Sequence, residues 1–332
     1  MRVVTFGEIM LRLSPEGYTR LFQTPTLDAS FGGAEANVAL ALSFIGLDAS
    51  FVTRLPDSPV GRAARDFLRG AGVDTSHIAW GGERLGIYYL EKGIGRRNSV
   101  CIYDRAHSSV AESIPEQFDW DSIFADADWF HFSGITPALG GALPEICEQA
   151  CMEAHAHGLR VSCDLNYRSK LWTHEKAHAV MEHLASLTDV CIANDEDARD
   201  VFGILPESDA VGQGSYLSVA RQLAGTFGYR EVAMVLRLPQ GDADYALTGL
   251  LYDSTSGKAS FSPTYDTAVV DKVGAGDAFC AGLIYAYLNN MKPDDAVNFA
   301  VSASVLKHTV AGDCNRASAD EVLHAMKGTL GH

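Results

Sequence analysis

The chain has 332 residues, 47% of them hydrophobic, and its 42 acidic against 26 basic side chains leave a formal charge of −16. That length and apolar share suffice for a large α/β core, while the negative charge disfavours nucleic acid and anionic membrane surfaces and points to small-molecule partners held in local basic pockets. No window approaches the roughly 18 uninterrupted apolar residues of a membrane span, and the opening MRVVTFGE reads as a strand without signal-peptide layout, so a cytoplasmic protein is expected.

In chain order, a strand at residues 3–7 leads to a helix over 34–45 closed by Gly46, then a strand over 49–54. This is a βαβ rhythm. It resumes with a strand at 129–133 and a helix near 141–157 that Gly158 stops. Strands at 161–165 and 190–193 follow, then a short helix ending at Phe202 and a strand at 232–236. Such alternation predicts a mostly parallel sheet with helices on both faces. Beyond Gly276 the pattern is helical over 277–290, 293–308 and 318–327, with Pro293 suited to a first turn. Two stretches, about 11–29 and 85–103, interrupt the alternation with strand character and polar or glycine punctuation. They read either as one accessory sheet covering a ligand cleft at the carboxyl ends of the core strands, or as two unrelated surface hairpins. A single domain over 1–332 with these two insertions is expected, without internal repeat or interdomain linker.

The seven cysteines form no CxxC pair and no zinc-spaced cluster with histidine, which favours reduced core residues. Cys147 and Cys151 lie one helical turn apart but have no matching pair elsewhere.

The residues that point to chemistry cluster at two glycine sites. Near the C-terminus the chain reads Lys272-Val273-Gly274-Ala275-Gly276-Asp277-Ala278-Phe279, a bend running into an apolar helical pattern. A helix start presents unpaired amides and a positive dipole end, and glycines let a phosphate approach them, so an anion can be stabilised there. Asp277 is then placed to take a proton from a substrate hydroxyl; alternatively it offsets the helix dipole and the glycines only make a turn. The second site is Phe31-Gly32-Gly33-Ala34-Glu35-Ala36-Asn37. Asn37 offers donor and acceptor groups to sugar hydroxyls, or serves the helix start itself. No GxxxxGK[ST] occurs, which excludes P-loop chemistry, and neither glycine site has the GxGxxG spacing of a dinucleotide oxidoreductase.

FGGAEANVALALSFIG and DKVGAGDAFCAGLIYAY together resemble the two signature regions of the phosphofructokinase-B, or ribokinase-like, sugar kinases, in that family's order and separation and over essentially the whole chain. The resemblance implies a three-layer α/β/α sandwich with a mostly parallel central sheet and a small β-sheet lid. It also implies an ATP- and Mg2+-dependent kinase, with Asp277 as catalytic base and Gly274, Ala275 and Gly276 forming the anion hole. Gly33 and Asn37 fall in its sugar-binding signature.

Within the family, Gly86-Ile87-Tyr88, Tyr103-Asp104-Arg105, Ser133 to Ala138 and Asp164-Leu165-Asn166-Tyr167-Arg168 are most similar to members that phosphorylate 2-keto-3-deoxygluconate on its 6-hydroxyl. An arginine fork with neighbouring phenols suits a carboxylate-bearing sugar better than a neutral one. The resemblance places Tyr88, Tyr103 and Arg105 on the substrate from the lid, Arg168 near the transferred phosphoryl group, and Asp313 on a substrate hydroxyl. Taken without it, Tyr88 reads as sheet packing, Arg105 and Arg168 as surface salt bridges, and Asp313 as a turn residue beside Gly312.

On the nucleotide side the family pattern implies Asn166, Asn194, Arg237, Gly241, Gly274 and Gly276, with Asp197 facing magnesium through water. Two departures stand out. The family's glutamate three places after Asn194 is Asp197 here, with Glu196 one place earlier, and Leu236 to Gly241 lacks the usual lysine or threonine before a glycine-rich loop. Other readings are a kinase for the galactonate epimer or for a neutral sugar, and a regulator that binds nucleotide or sugar without turnover. A homo-oligomer covering the lid edges is a further expectation.

Overall fold

The computed structural model describes residues 1–240 and 244–328. The chain opens with β1 (Arg2–Phe6), β2 (Met10–Ser14), β3 (Asp28–Gly32), α1 (Ala34–Phe44), β4 (Asp48–Val52), β5 (Arg54–Leu55) and α2 (Pro59–Gly70). Next come β6 (Ala79–Trp80), β7 (Gly86–Glu91), β8 (Val100–Asp104), α3 (Trp120–Phe124), β9 (Trp129–Ser133), α4 (Ile135–Ala138), α5 (Leu143–Ala156) and β10 (Arg160–Asp164). The second half holds α6 (His174–Ala185), β11 (Val190–Ala193), α7 (Asp195–Phe202), α8 (Gln213–Phe227), β12 (Glu231–Gln240) and β13 (Asp244–Asp253). It closes with β14 (Lys258–Phe261), β15 (Tyr265–Thr267), α9 (Ala275–Leu288), α10 (Pro293–His308) and α11 (Ala319–Met326).

The central sheet runs β14-β13-β12-β11-β10-β9-β1-β4, with β15 also on β13. Strands from β12 to β4 are parallel, and β13, β14 and β15 form an antiparallel margin. Strand order reverses between β1 and β9: from β1 the chain builds outward to β4, and from β9 it builds the other way. A crevice opens at the carboxyl ends of strands at such a reversal.

Both faces are covered, which makes the three layers. One core packs α1, α9 and α10 on the sheet through residues such as Leu40, Phe51, Phe279 and Phe299. The other packs α5, α6 and α8 through Phe130, Ile146, Met181 and Leu223. The central strands are buried on both sides, so they read as continuous apolar runs (WFHFS, VCIA) without alternation.

The two interrupting segments do form one sheet, β3-β2-β7-β8, which excludes unrelated hairpins. β2 and β7 pair in parallel with Arg12 opposite Tyr88, and these two side chains, distant in sequence, reach the same carboxylate, described below. Only the ends of the expected 11–29 stretch are strand, at β2 and β3.

Several boundaries differ from expectation for local reasons. The 49–54 strand is two short ones, β4 and β5, because β5 leaves the main sheet to pair with β6. The 141–157 helix starts at Leu143, since Gly140 and Gly141 both take positive φ before Pro144 enters the first turn. The last glycine helix begins at Ala275 rather than Asp277, with Gly274 as a left-handed cap (φ 82°). Helices α2, α6 and α8 have no counterpart among the elements expected from sequence; α2 buries only Gly61, Ala64 and Leu68, and α8 opens with the polar run Gln213-Gly214-Ser215.

Phe130 is fully buried, stacked on Phe132 and edge-on to Phe124. Phe130→Ala should therefore cost about 3–5 kcal/mol, read as a lower denaturant midpoint with an unchanged m-value.

Candidate active site

The reversal point between β1 and β9 brings the starts of α1 and α9 together. Gly33 caps α1, and a Cβ there would lie 1.9 Å from the Glu8 carbonyl, so only glycine lets this helix start press on the segment that follows β1. Gly274 caps α9 with positive φ, and a Cβ there would lie 1.8 Å from the Asp313 carbonyl. Gly276 has open space over its Cα and lines the cavity. The amides opening α9 thus face a cavity of about 750 Å³.

Asp277 sits in the first turn of α9 with 9% exposure. Its carboxylate accepts a 2.7 Å hydrogen bond from Asn37 Nδ2. Burial pushes its pKa up to about 7, with the charges of Glu35 and Asp313 adding to the rise, while the Asn37 bond and Arg168 oppose it. A carboxylate poised near neutrality can hold or release a proton at working pH. Asn37 also accepts from the Gly33 amide at 3.4 Å, so one side chain serves the helix start and Asp277 together.

Glu35 is buried in the same place. Its Oε1 accepts from the Ser133 amide at 3.1 Å and from the hydroxyls of Ser133 and Thr136 at 2.6 and 2.8 Å, joining α1 to the end of β9. Its Oε2 has no partner among the described residues, and burial raises its pKa, which favours the neutral acid.

The lid supplies the opposite wall. Tyr88 on β7 donates its hydroxyl to Asp313, which also pairs with Arg12 of β2. Asp313 is thus gripped by two lid side chains rather than acting as a turn residue. Arg105 is 7% exposed, which rules out a surface salt bridge; its Nε and Nη2 both donate to Glu8, at 2.8 Å from Nε. Arg105 Nη1 has no protein hydrogen bond among the described residues. The guanidinium also stands 5.3 Å from the Tyr103 ring centre, and Tyr88 and Tyr103 lie 6.1 Å apart.

The third wall follows β10 and β11. Asn166, with φ 41°, donates to Asp164 at 3.1 Å. Asn194 caps α7 by accepting from the Asp197 amide at 2.7 Å. Asp197 returns a capping bond and accepts from the Tyr167 amide at 2.9 Å, so its two oxygens hold backbone in place. Glu196, one place earlier, is exposed at the cavity edge. Arg168 is exposed at the mouth and is the cation that Asp164, Asp197 and Asp277 share.

Of the residues singled out from sequence, Gly33, Asn37, Tyr88, Tyr103, Arg105 and Asn166 line this one cavity, as do Arg168, Asn194, Asp197, Arg237, Gly274, Gly276, Asp277 and Asp313. Ala275 is 1% exposed and offers only backbone, and Gly241 lies outside the described residues. Sequence reading assigned no role to Glu8, Glu35, Asp164, Asp195 and Tyr216, which line the cavity too. The signal for Glu35 was a charge inside an otherwise apolar helix; Tyr216 had none, since α8 was unplaced. Asp195 and Tyr216 also border an adjoining pocket of about 570 Å³ with Leu236 and Thr248.

Magnesium and a nucleotide fit this donor set. Asp164, Asn166, Asn194, Asp197 and Glu196 offer hard oxygen ligands. Burial beside Asp197 and Asp277 raises the Asp164 pKa well above the carboxylate range, a strain that a divalent cation relieves. Among the described residues no helix is long and apolar enough to cross a membrane.

Because the folded Asp277 holds its proton to about pH 7 and the unfolded one only to about 3.8, its stabilising contribution is full below 3.8 and lost as pH rises through 7. Asp277→Asn, a mimic of the protonated acid, should stabilise the fold by up to ~4 kcal/mol at about pH 8, the gain vanishing toward about pH 4. Melting temperatures of the two proteins that run parallel across this range would contradict a raised carboxyl.

The model of the pfkB family carbohydrate kinases matches residues 1–320. The chain is 35% identical over 330 residues to the 2-dehydro-3-deoxygalactonokinase of Haloferax volcanii, covering 98% of this chain and 96% of that protein. It is 29% identical over 335 residues to the 2-dehydro-3-deoxygluconokinase of Thermoproteus tenax, covering 98% and 94%. The fold matches the crystal structure of a 2-dehydro-3-deoxygluconokinase from Thermotoga maritima with a TM-score of 0.95 and 46% identity, over 99% of this chain and 100% of that one. The chain belongs to the pfkB family of carbohydrate kinases, phosphotransferases with an alcohol group as acceptor.

Proposed function

We propose that the protein is an ATP-dependent sugar-acid kinase that phosphorylates the 6-hydroxyl of 2-keto-3-deoxygluconate. The observation that carries this reading is a near-neutral carboxylate, Asp277, in the first turn of a glycine-capped helix that opens on the cavity. The 46% identity to a gluconokinase supports the acceptor.

In this reading Asp277 takes the proton of the 6-hydroxyl as that oxygen forms its bond to the γ-phosphorus. The bond from γ-phosphorus to the bridging oxygen breaks, ADP leaves with that electron pair, and Asp277 later releases its proton to water. Amides of the 274–277 segment hold the phosphoryl oxygens, and Arg168 offsets their charge. Asn37 keeps the Asp277 carboxylate aimed into the cavity through its 2.7 Å bond. Magnesium, held through water by Asp164 and Asp197 beside Asn194, would supply charge neutralisation on the nucleotide phosphates. The adjoining pocket bordered by Tyr216, Leu236 and Thr248 suits the nucleotide base, with Arg237 near its phosphates.

The acid end of the sugar lies under the lid. Glu8 fixes the guanidinium plane of Arg105 and leaves Nη1 for the substrate carboxylate, with the hydroxyl of Tyr103 alongside. Glu8 also offsets much of that charge, which favours a neutral acceptor as the competing reading, and the 35% match to a galactonokinase favours the epimer.

A coupled assay of ADP release over a panel of sugars and sugar acids tests the acceptor. Asp277→Asn should lower kcat by about 10²–10⁴-fold with little change in sugar KM. Turnover near that of the parent protein would remove Asp277 from the base role. Arg105→Ala should reduce kcat/KM for the sugar acid by about 10²-fold and spare neutral sugars; an equal loss on both would assign Arg105 to lid structure.

A further inference from the structure

Lys307 lies in the last turn of α10 and is completely buried. A lysine near a surface normally snorkels its ammonium to water, because desolvating that charge costs several kcal/mol. This one points inward. Its Nζ donates to the carbonyl of Asp271 at 3.1 Å and to the carbonyl of Val310 at 3.2 Å.

Those two carbonyls belong to the two segments that meet behind the phosphate cradle. The first runs through Asp271 into Gly274 and the start of α9; the second runs from Val310 to Asp313. They are fastened to each other at three further points. The Asp271 carboxylate accepts from the Val273 amide at 3.1 Å within the first segment and from the Gly312 amide at 3.3 Å across to the second. The Gly274 Cα presses on the Asp313 carbonyl, as noted above. Arg12 from the lid pairs with Asp271 at 2.7 Å and with Asp313. The cluster therefore balances two buried cations, Arg12 and Lys307, against two buried carboxylates, Asp271 and Asp313, with Lys92 3.8 Å from Asp271 at the edge.

We propose that Lys307 is a positioning residue for phosphoryl transfer: its buried ammonium clamps the 271–274 and 310–313 segments so that the amides opening α9 and the Asp277 carboxylate face one phosphate. This rests on the reading of Asp277 and the α9 start given under Proposed function. Misplacing a catalytic group by about 1 Å costs on the order of 10²-fold in rate, so a clamp on the cradle acts on kcat more than on sugar binding.

The ammonium also reaches Asp277 electrostatically. The other groups facing Asp277 are Glu35 and Asn37 from α1, Asp164 and Arg168 from β10 and the segment after it, and Asp313. The thiols of Cys280 and Cys314 stay neutral there, raised by burial. Removing the Lys307 charge makes this surround more negative, which disfavours ionised Asp277 and moves the acid limb of activity to higher pH.

The test uses full-length Lys307→Met, which keeps the stem and drops the charge, and Lys307→Ala, which leaves a cavity for an amine. With the acceptor that the parent protein phosphorylates best, Lys307→Met should lose about 10–100-fold in kcat with sugar KM changed less than about threefold. Its acid limb should rise by about half a pH unit. Propylammonium should restore kcat of Lys307→Ala by about tenfold or more, while tetramethylammonium at equal ionic strength should not. A Lys307→Met kcat within about twofold of the parent, or an amine that restores melting temperature without kcat, would reduce Lys307 to a structural role. So would a Lys307→Ala chain that stays unfolded in the amine. A parent protein that prefers neutral sugars would refute the sugar-acid reading and leave this test intact, and an active Asp277→Asn would refute the base while amine rescue still judges the clamp.

Discussion

One hydrogen bond joins the two halves of the site. Asn37 of α1 donates to Asp277 of α9 at 2.7 Å, across a chain separation that only the packed core can close. For that bond to form, both helix starts must approach neighbouring backbone more closely than a side chain permits, which is why Gly33 lies on the Glu8 carbonyl and Gly274 on the Asp313 carbonyl. The apolar helices behind them set the distance: α1, α9 and α10 share one core through Leu40, Phe279, Leu283 and Phe299. Glycine placement, core packing and the aimed carboxylate are therefore one arrangement seen at three scales.

The same packing creates an electrostatic imbalance. Asp164, Asp197 and Asp277 share the exposed guanidinium of Arg168, Glu35 adds its charge beside Asp164 and Asp277, and burial raises the pKa of each of these acids. Such a cluster works against the fold and favours whatever brings positive charge into it. In the proposed reading a magnesium ion would supply that charge, and the same burial keeps Asp277 near neutrality, where proton transfer is most responsive. By contrast, the Arg12, Lys307, Asp271 and Asp313 cluster pairs two cations with two carboxylates through direct hydrogen bonds, as a fixed support should.

The lid is coupled to this support rather than merely laid over the cavity. Arg12 and Tyr88, neighbours in the β2–β7 register, both hold Asp313, and Asp313 adjoins the cap of α9. Movement of the lid sheet would thus be felt at the start of α9 directly through Arg12, Tyr88 and Asp313, with no need for a longer path. Glu8 performs a parallel task at the other end of the lid, fixing Arg105 through two nitrogens while Ser108 donates to its second oxygen.

Much of this was legible in one dimension. The alternation of apolar runs announced a parallel sheet with helices on both sides, and KVGAGDAF and FGGAEAN marked the two helix starts, because glycine followed by an apolar helical run is a local signal. Residues within those motifs that line the cavity, Asp277, Gly274 and Asn37 among them, were singled out for the same reason. Local signals end where partners are distant. Nothing near Arg105 in sequence announces Glu8, nothing near Asp313 announces Arg12, and Lys307 looks like an ordinary charge at a helix end until the 271 and 310 carbonyls close around it. The antiparallel margin of β13 to β15 and helix α8 also escaped, since their stripes are short and interrupted, and with them went Tyr216 and Thr248 at the adjoining pocket. Backbone propensity and turn chemistry act over a few residues and can be read along the chain; the neutralisation of a buried charge depends on which segments the core brings within about 3 Å, and only the tertiary structure decides that.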